Sequence, residues 1–446
     1  MFNIIYELYS IYKNILILNS KFFIFNFSFL IFNLYRGLFK MKININNGVT
    51  APKGFKAAGV HCGIKKSSLK KDLAIIYSDV PTTACGVYTK NKVKGAPLLI
   101  TKEHLSNKCA QAIIINSGNA NTCTGNDGLE KAKKMTVLCG KALNVKADDV
   151  LVASTGVIGV PLNIDAIKDG IPIAVANLDS QSGHSAAEAI ITTDTSTKEI
   201  SIEFEIDGVP VVIGAMAKGS GMIHPNMATM LSFITTDLNI DAKLLKEALK
   251  SSVDLSYNRV SVDGDSSTND MVVILANGLA GNATITEKDE KYSIFLEALN
   301  TLNIHLAKEI AKDGEGATKL IECNVSGSKD EKSAEILAKS VINSSLVKAA
   351  IFGSDANWGR VLCALGYADA DFDPNLVSVY FASESDSILV CENGCSVEFD
   401  ETKAKEILLK DTVKININLH SGNASATAWG CDLTYDYVKI NGEYRS

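Results

Sequence analysis

The amino-acid sequence predicts a mixed α+β protein, and three patterns support this fold class. Short apolar runs bounded by turn residues, as at residues 72–77, are typical of buried strands. Apolar positions recur with a helical period at residues 126–143, which predicts an amphipathic helix. The pair Asp207-Gly208 separates two alternating runs, residues 199–206 and 209–214, and predicts a β-hairpin. The elements do not follow the regular strand–helix alternation of a doubly wound fold.

The same patterns predict further elements along the chain. Strands are expected at residues 56–60, 112–115, 377–382, 387–390, 412–419 and 426–432. Helices are expected at residues 182–190, 242–253, 293–310, 334–349 and 402–409. A chain of 446 residues is long enough for two or three domains. We place a boundary at the charged loop 326–332, which gives an α/β core at residues 41–325 and a smaller C-terminal α/β domain at residues 326–446.

Residues 1–40 differ from the rest of the chain, because they contain eight of its sixteen phenylalanines. Their densest apolar run, residues 22–35, is shorter than the roughly 20 residues that a membrane-spanning helix needs. The segment also lacks the basic start and small-residue cleavage site of a secretory signal. A membrane anchor, an unusual targeting peptide and a start codon assigned too early remain as explanations. We favour Met41 as the true start and expect residues 1–40 to lie outside the mature fold.

Charge and cysteine content restrict the class of partner. A net charge of −6 argues against general binding of nucleic acids and favours small-molecule partners. The ten cysteines are scattered, and several lie in apolar runs, which favours reduced thiols in a cytoplasmic protein. Cys391 and Cys395 would form only half of a zinc site, and the six histidines form no close pair, so no metal site is expected.

The stretch from Ala217 to Leu231 carries the clearest chemical signal. Its sequence, Ala-Lys-Gly-Ser-Gly-Met-Ile-His-Pro-Asn-Met-Ala-Thr-Met-Leu, is a glycine-rich loop that leads into an apolar run. From spacing alone, Thr229 is equally well explained as an ordinary β-branched strand residue. His224 could assist chemistry at Thr229, but we favour a role in bracing the loop.

This stretch resembles the self-cleavage segment of the ornithine acetyltransferase (glutamate N-acetyltransferase) family, and the resemblance extends from Met41 to Ser446. It implies that the chain cuts itself between Ala228 and Thr229, which leaves Thr229 as an N-terminal nucleophile. It also implies a layered αββα sandwich core with two stacked sheets, and an α2β2 assembly of the cleaved chains. No cofactor is implied, although acetyl-CoA is left open as a second acetyl donor.

The resemblance assigns roles to further residues that match family motifs. In Ser-Thr-Gly, Thr155 and Gly156 match an oxyanion hole, which acyl transfer requires. The remaining matches are substrate-binding positions, with Ser446 standing where threonine is commoner in the family. These positions are Thr192, Lys218, Thr229, Glu315, Asn441 and Ser446. Of these, Lys218 suits a substrate carboxylate and Glu315 suits a substrate ammonium group.

The implied activity is acetyl transfer from N2-acetyl-L-ornithine to L-glutamate through acetyl-Thr229, as a step of arginine biosynthesis. The alternative is a self-cleaving aminopeptidase or amidase, in which water resolves the acyl-enzyme. A third possibility is an uncleaved protein without enzymatic activity. Transfer and hydrolysis assays separate the first two, and the intact mass separates both from the third.

Overall fold

The computed structural model describes residues 41–45, 48–224 and 230–443. The strands are β1 (Lys42–Asn44), β2 (Phe55–Val60), β3 (Leu73–Tyr88), β4 (Cys109–Asn119), β5 (Val150–Val157), β6 (Lys198–Ile206), β7 (Val209–Lys218), β8 (Leu231–Thr236), β9 (Val260–Ser261), β10 (Met271–Ala276), β11 (Leu320–Ser328), β12 (Ser378–Ala382), β13 (Ser387–Glu392), β14 (Cys395–Ser396), β15 (Thr412–Asn418) and β16 (Ala424–Cys431). The helices are α1 (Ala96–His104), α2 (Gly125–Leu143), α3 (Ile164–Ala176), α4 (Gly183–Ile190), α5 (Ala242–Leu255), α6 (Glu290–Lys312), α7 (Glu331–Asn343), α8 (Ser345–Phe352), α9 (Trp358–Gly366), α10 (Glu401–Leu408) and α11 (Tyr435–Glu443). Across the described part of the chain, no helix combines the length and the apolar character needed to cross a membrane.

The larger sheet contains nine of these strands in the order β1-β6-β7-β8-β10-β3-β4-β5, with β2 paired to the first half of β3. Its β6–β7 hairpin turns at Asp207 and Gly208, as the sequence predicts. Both residues have positive φ, +52° and +77°, the backbone that a two-residue hairpin turn requires. Strand β3 is long and irregular between Tyr77 and Thr82. Strand β4 pairs with both of its halves, whereas β2 pairs with the first half and β10 with the second.

Helices cover the outer faces of both halves of this sheet. Helices α1, α2 and α3 pack on the half formed by β2 to β5, where their apolar side chains share a cluster with residues such as Ile75 and Ile114. Helices α5 and α6 pack against β3, β6 and β7 in the other half. Inner-face residues of both halves, among them Ile113 and Phe233, belong to one common cluster. The αββα layering expected from the family resemblance is therefore confirmed.

The smaller sheet has seven strands in the order β14-β13-β12-β15-β11-β16-β9. Helices α7 to α10 supply apolar side chains to its core cluster. Strand β9 leads into the polar segment 261–270 and pairs with β16. The smaller sheet therefore supports a loop that leads to the larger sheet. The expected domain boundary between residues 325 and 326 falls inside β11, and the division into two domains stays a prediction.

One predicted helix, at residues 334–349, is wrong in its extent. Two helices, α7 and α8, occupy this region and meet at Ser344. Ser344 has an extended backbone, with ψ of 113°, and its side chain accepts a hydrogen bond from the Val347 N–H. It therefore begins a new helix as an N-cap instead of continuing the first one. Residues 1–40, expected to lie outside the fold, are outside the described residues.

Candidate acyl-transfer site

Six residues selected from the sequence line one cavity of about 160 Å³. They are Thr155, Gly156, Thr192, Lys218, Glu315 and Asn441. Met230 and Leu231, the two residues that follow position 229, line the same cavity. Ala228, Thr229 and Ser446 lie outside the described residues. The chain therefore joins the cavity wall immediately after the predicted cleavage point.

Thr155 and Gly156 lie at the end of β5, beside the backbone at Gly118. Gly156 has a φ of +125°, and a Cβ atom there would lie 2.4 Å from the carbonyl carbon of Gly118. Only glycine fits both this backbone conformation and this close approach. The Thr155 hydroxyl has no hydrogen-bond partner among the described residues, so it is free to donate to a bound oxygen. This is the chemistry that an oxyanion hole requires.

Asn269, in the polar segment 261–270, holds the backbone beside these two residues. Its Nδ2 donates to the carbonyl oxygens of Ala120 (2.6 Å) and Ser154 (2.9 Å). Its Oδ1 accepts a hydrogen bond from the Thr122 hydroxyl (2.5 Å). Both amide hydrogens are thus used to tie β5 to the segment that follows β4. The sequence suggested no role for this segment, and the contacts show that it positions the predicted oxyanion donors.

Lys218, at the end of β7, belongs to a buried group of charged side chains. Its Nζ lies 3.6 Å from Asp194 Oδ2, and the Lys198 Nζ lies 2.9 Å from Asp194 Oδ1. Asp194 also accepts hydrogen bonds from the N–H groups of Gly219 (2.6 Å) and Thr192 (3.0 Å). Burial alone would raise the pKa of Asp194, but the two ammonium groups and the two N–H donors outweigh it and lower the pKa. Asp194 is therefore ionised and fixes the Lys218 ammonium at the cavity wall.

The same charged group positions Glu315. Lys198 Nζ lies 2.5 Å from Asp313 Oδ2, and the Asp313 carbonyl accepts a hydrogen bond from the Ser220 hydroxyl (2.7 Å). The Glu315 N–H in turn donates to the Ser220 carbonyl (3.0 Å). A Cβ atom on Gly221 would lie 2.2 Å from Glu315 Oε2. The glycine loop therefore leaves room for this carboxylate directly against its backbone.

The C-terminal helix α11 closes the cavity on the Glu315 side. Asn441 Nδ2 donates to Glu315 Oε2 (2.8 Å) and to the Tyr437 carbonyl (3.1 Å). Gly316 has a φ of +69°, and a Cβ atom there would lie 2.6 Å from the Tyr437 nitrogen. The Thr434 hydroxyl donates to the Gly316 carbonyl (2.6 Å). The tail is thus anchored on the turn that carries Glu315.

His224 and Asp263 brace the loop that precedes position 229. The Asp263 carboxylate accepts hydrogen bonds from the N–H groups of Met222 (2.6 Å) and Ile223 (2.8 Å). Met222 has a φ of +55°, so these bonds stabilise a backbone that non-glycine residues seldom adopt. The His224 Nδ1 lies 3.0 Å from the Ser261 hydroxyl, and burial lowers the pKa of its imidazole. These contacts favour the bracing role for His224.

Asp270 is a second buried carboxyl group, and it lines the cavity itself. Its Oδ2 has no hydrogen-bond partner among the described residues. Burial raises the pKa of this group well above its ordinary value, although the Ser267 and Thr89 side chains and the Lys218 ammonium oppose the shift. Asp270 is therefore held toward its neutral form, in contrast to Asp194.

The cavity combines a fixed cation, a carboxylate and hydrogen-bond donors, a set suited to an α-amino acid that carries an acyl group. Sequence reasoning did not single out Asp194, Asp263, Asn269 or Asp270. Asp194 lies two residues after Thr192, and the other three lie in the polar segment 261–270, so nearness in sequence to a predicted site residue was a signal only for Asp194. Within the described ranges, no three His, Cys, Asp or Glu side chains are grouped closely enough to hold a metal ion.

Comparison with known proteins gives a consistent result. A family model described as the ArgJ family matches residues 56–446. The chain is 54% identical over 406 residues to the arginine biosynthesis bifunctional protein ArgJ 1 of Clostridium acetobutylicum, which covers 91% of this chain and 99% of that protein. It is 50% identical over 402 residues to the arginine biosynthesis bifunctional protein ArgJ of Caldanaerobacter subterraneus subsp. tengcongensis, with 90% and 99% covered. A solved structure of ornithine acetyltransferase from Mycobacterium tuberculosis, complexed with ornithine, is 38% identical, covers 42% of this chain and 100% of that one, and has a TM-score of 0.40.

Proposed function

The chain belongs to the ArgJ family, and we propose that it transfers the acetyl group of N2-acetyl-L-ornithine to L-glutamate. The products are L-ornithine and N-acetyl-L-glutamate, and the reaction is a step of arginine biosynthesis. The observation that carries this proposal is the meeting of Lys218, Glu315, Thr155 and Gly156 in one cavity, next to position 229. Relatives at 50–54% identity with arginine-biosynthesis names support the substrate class.

Substrate binding follows from the two charged side chains that line the cavity. Lys218 pairs with the α-carboxylate of the substrate, and its own contact with Asp194 keeps the ammonium group in place. Glu315 accepts hydrogen bonds from the δ-ammonium group of ornithine in the first half-reaction. The donor and the acceptor are both α-amino acids, so one carboxylate contact serves both in turn.

Thr229 is the proposed nucleophile, released by cleavage after Ala228. The Thr229 hydroxyl attacks the Ala228 carbonyl, the peptide shifts to an ester, and water hydrolyses that ester. The new α-amine, with an unperturbed pKa of about 7.7–8.0, then accepts the proton of the same hydroxyl. No separate histidine base is needed, in agreement with the contacts that occupy His224.

The acetyl group moves in two displacement steps. The Thr229 oxygen attacks the acetyl carbon of acetylornithine, and the carbonyl oxygen takes up negative charge that the Thr155 hydroxyl and the Gly156 N–H stabilise. The carbon–nitrogen bond breaks, and ornithine leaves with the proton returned by the α-amine. The amino group of glutamate then attacks the acetyl ester, which forms the new amide and restores the Thr229 hydroxyl.

Several finer features belong to the same proposal. Acetyl-CoA is a second acetyl donor, which the word bifunctional in the relatives' names supports. The cleaved chains assemble as α2β2 in the cytoplasm, and Ser446 extends the tail that Asn441 anchors. Residues 41–325 act as the catalytic core and residues 326–446 as a smaller C-terminal domain.

The test is to follow the cleavage and the acetyl group by mass spectrometry in wild type, Thr229→Ala and Thr229→Ser. Wild type should contain a chain that begins at Thr229 and should gain one acetyl group on it when mixed with acetylornithine. Glutamate should remove that group faster than water does. Thr229→Ala should stay uncleaved and inactive, because one hydroxyl serves both reactions, whereas Thr229→Ser should retain some of each.

Two results would contradict the proposal. A homogeneous uncleaved wild-type protein with full transfer activity would exclude Thr229 as an N-terminal nucleophile. Discharge of the acetyl group by water as fast as by glutamate would replace the transferase with the self-cleaving amidase.

A further inference from the structure

A second cavity, of about 500 Å³, lies where the end of β3 meets α1 and α5. Its floor is formed by the end of β3 and by Leu98, and its rim is mostly lysine. The rim lysines are Lys90, Lys94, Lys102, Lys243, Lys246 and Lys250. We call this cavity the lysine cleft. Its volume falls in the range of about 300–1,000 Å³ that is typical of small-molecule sites.

The lysines come together from three separate elements. Lys243, Lys246 and Lys250 are three and four residues apart on α5, so they share one face of that helix. The opposite face of α5 carries the buried leucines that pack on the sheet. Lys90 and Lys94 follow β3, and Lys102 lies in α1. The fold therefore directs lysines from distant parts of the sequence toward one opening.

Most of this positive charge is not neutralised within the described part of the chain. Lys250 pairs with Asp254 at 2.6 Å, and Glu247, the acidic residue at the rim, pairs with Lys288 at 2.8 Å. The other five rim lysines form no ion pair among the described residues. The whole chain has a net charge of −6, so the positive charge of the lysine cleft is opposite in sign to the net charge of the protein. Converging like charges are unfavourable unless an anion occupies the space between them.

The floor of the lysine cleft favours an anion with a flat apolar part. Val87, Tyr88 and Leu98 provide apolar surface there. The Tyr88 hydroxyl is buried and has no hydrogen-bond partner among the described residues, which leaves a donor for a ligand. An aromatic ring system stacks well on such a surface, while phosphates would lie at the lysine rim.

The lysine cleft also adjoins the acyl-transfer cavity. Thr89 lines the cleft, and its N–H donates to the Asp270 carbonyl at 3.0 Å. The Thr89 hydroxyl donates to the Ser267 carbonyl at 3.0 Å. Asp270 and Ser267 line the other cavity, so a single pair of backbone segments separates the two.

We propose that the lysine cleft binds a phosphate-bearing nucleotide. Two molecules share this chemistry: the nucleotide end of a coenzyme A thioester that donates acetyl groups, and a free nucleotide that binds without reacting. Only the first source rests on the proposed acetyl transfer. Nucleotide binding itself can therefore be tested separately from that function.

The binding experiment compares the cleaved wild-type enzyme with the double variant Lys94→Gln/Lys246→Gln. Calorimetric titration with coenzyme A, ADP and adenosine is the measurement. Wild type should bind coenzyme A and ADP but not phosphate-free adenosine, and the double variant should raise Kd by about tenfold, the change expected for two lost exposed ion pairs. The matched control is Lys332→Gln/Lys410→Gln, which removes the same charge from exposed positions elsewhere and should leave Kd unchanged.

Steady-state kinetics with acetyl-CoA and with acetylornithine then distinguish the two sources. A higher KM for acetyl-CoA in the cleft variant, with acetylornithine kinetics unchanged, identifies the thioester. Weaker nucleotide binding with both KM values unchanged identifies a free nucleotide. The proposal is overturned if wild type binds neither coenzyme A nor ADP, if adenosine binds equally well, or if the control variant weakens binding as much as the cleft variant.

Discussion

Two buried aspartates interact with Lys218 at the acyl-transfer cavity, and the pKa values of their carboxyl groups are shifted in opposite directions. Asp194 has two lysine ammonium groups and two backbone N–H groups around it, and its pKa is lowered. Asp270 is equally buried, its Oδ2 has no partner among the described residues, and its pKa is raised. Burial penalises both ions alike, so the charge of the partners makes the difference: two lysine ammonium groups favour the Asp194 carboxylate, whereas only that of Lys218 favours the Asp270 carboxylate.

The difference suits the carboxylate binding that we propose for this cavity. Asp194 holds the Lys218 ammonium in position, and Lys198 and Asp313 complete a balanced group of two cations and two anions. A second ionised carboxylate at Asp270 would repel the substrate carboxylate from Lys218. The raised pKa of Asp270 weakens that repulsion. In the proposed function, the charged group around Asp194 therefore holds the lysine that binds the substrate carboxylate, and the raised pKa of Asp270 limits competition for that lysine.

The largest expected effect follows from removing the anion at the centre of the charged side. Asp194→Ala leaves Lys198 and Lys218 buried with one counter-ion fewer, and should lower the free energy of unfolding by about 3–5 kcal/mol. Denaturant titration at pH 7 measures this loss. The matched control is Asp254→Ala, which removes an exposed aspartate paired with Lys250 and should change stability by less than about 0.5 kcal/mol.

The pH dependence of Asp194 has a defined sign. Its pKa is lowered in the folded state, so its contribution is present above the unfolded pKa of about 3.9 and is lost as the pH falls below that value. The stability difference between wild type and Asp194→Ala should shrink in acid. Equal losses in Asp194→Ala and Asp254→Ala at pH 7 would contradict the buried charged group.

A smaller effect is expected from replacing the cation between the two aspartates. Lys218→Met removes the proposed partner of the substrate carboxylate, and kcat/KM for acetylornithine and for glutamate should fall by about 10- to 150-fold, the value of one charged hydrogen bond. Lys218→Arg is the control, because it retains the charge and should lose less than Lys218→Met. Steady-state kinetics with both substrates decide the matter, and an unchanged kcat/KM in Lys218→Met would place the carboxylate elsewhere.

Local features of the fold could be predicted because their causes are local. The helix expected at residues 126–143 is Gly125–Leu143, since its apolar spacing is set by contacts along one face. The hairpin at Asp207 was predicted because the turn chemistry is contained in two residues. The break at Ser344 was missed because the apolar pattern continues across it. A serine N-cap is recognisable only in the structure, where its side chain accepts a hydrogen bond from the first turn of the next helix.

The site shows the same limit. Motifs indicated Thr155, Lys218 and Glu315, and the fold brings them to one cavity. Asn269 contacts Ser154 and Ala120, which lie 115 and 149 positions earlier in the sequence, so no spacing rule reveals these contacts. The raised pKa of Asp270 is likewise invisible in sequence, because it depends on burial that only the fold creates.

The smallest expected effect concerns Asp270, and its sign is opposite to that of Asp194. Its pKa is raised in the folded state, so stability is fully present below the unfolded pKa of about 3.9 and is lost as the pH rises toward the folded pKa. Asp270→Asn cannot ionise and has no such loss. Relative to Asp270→Asn, wild type should therefore lose unfolding free energy as the pH rises from 5 to 8. Denaturant titrations of both proteins across this range measure the difference, and Asp254→Asn, exposed and ion-paired, should run parallel to wild type. Parallel curves for wild type and Asp270→Asn would show that Asp270 is ionised throughout, and the contrast between the two aspartates would then be lost.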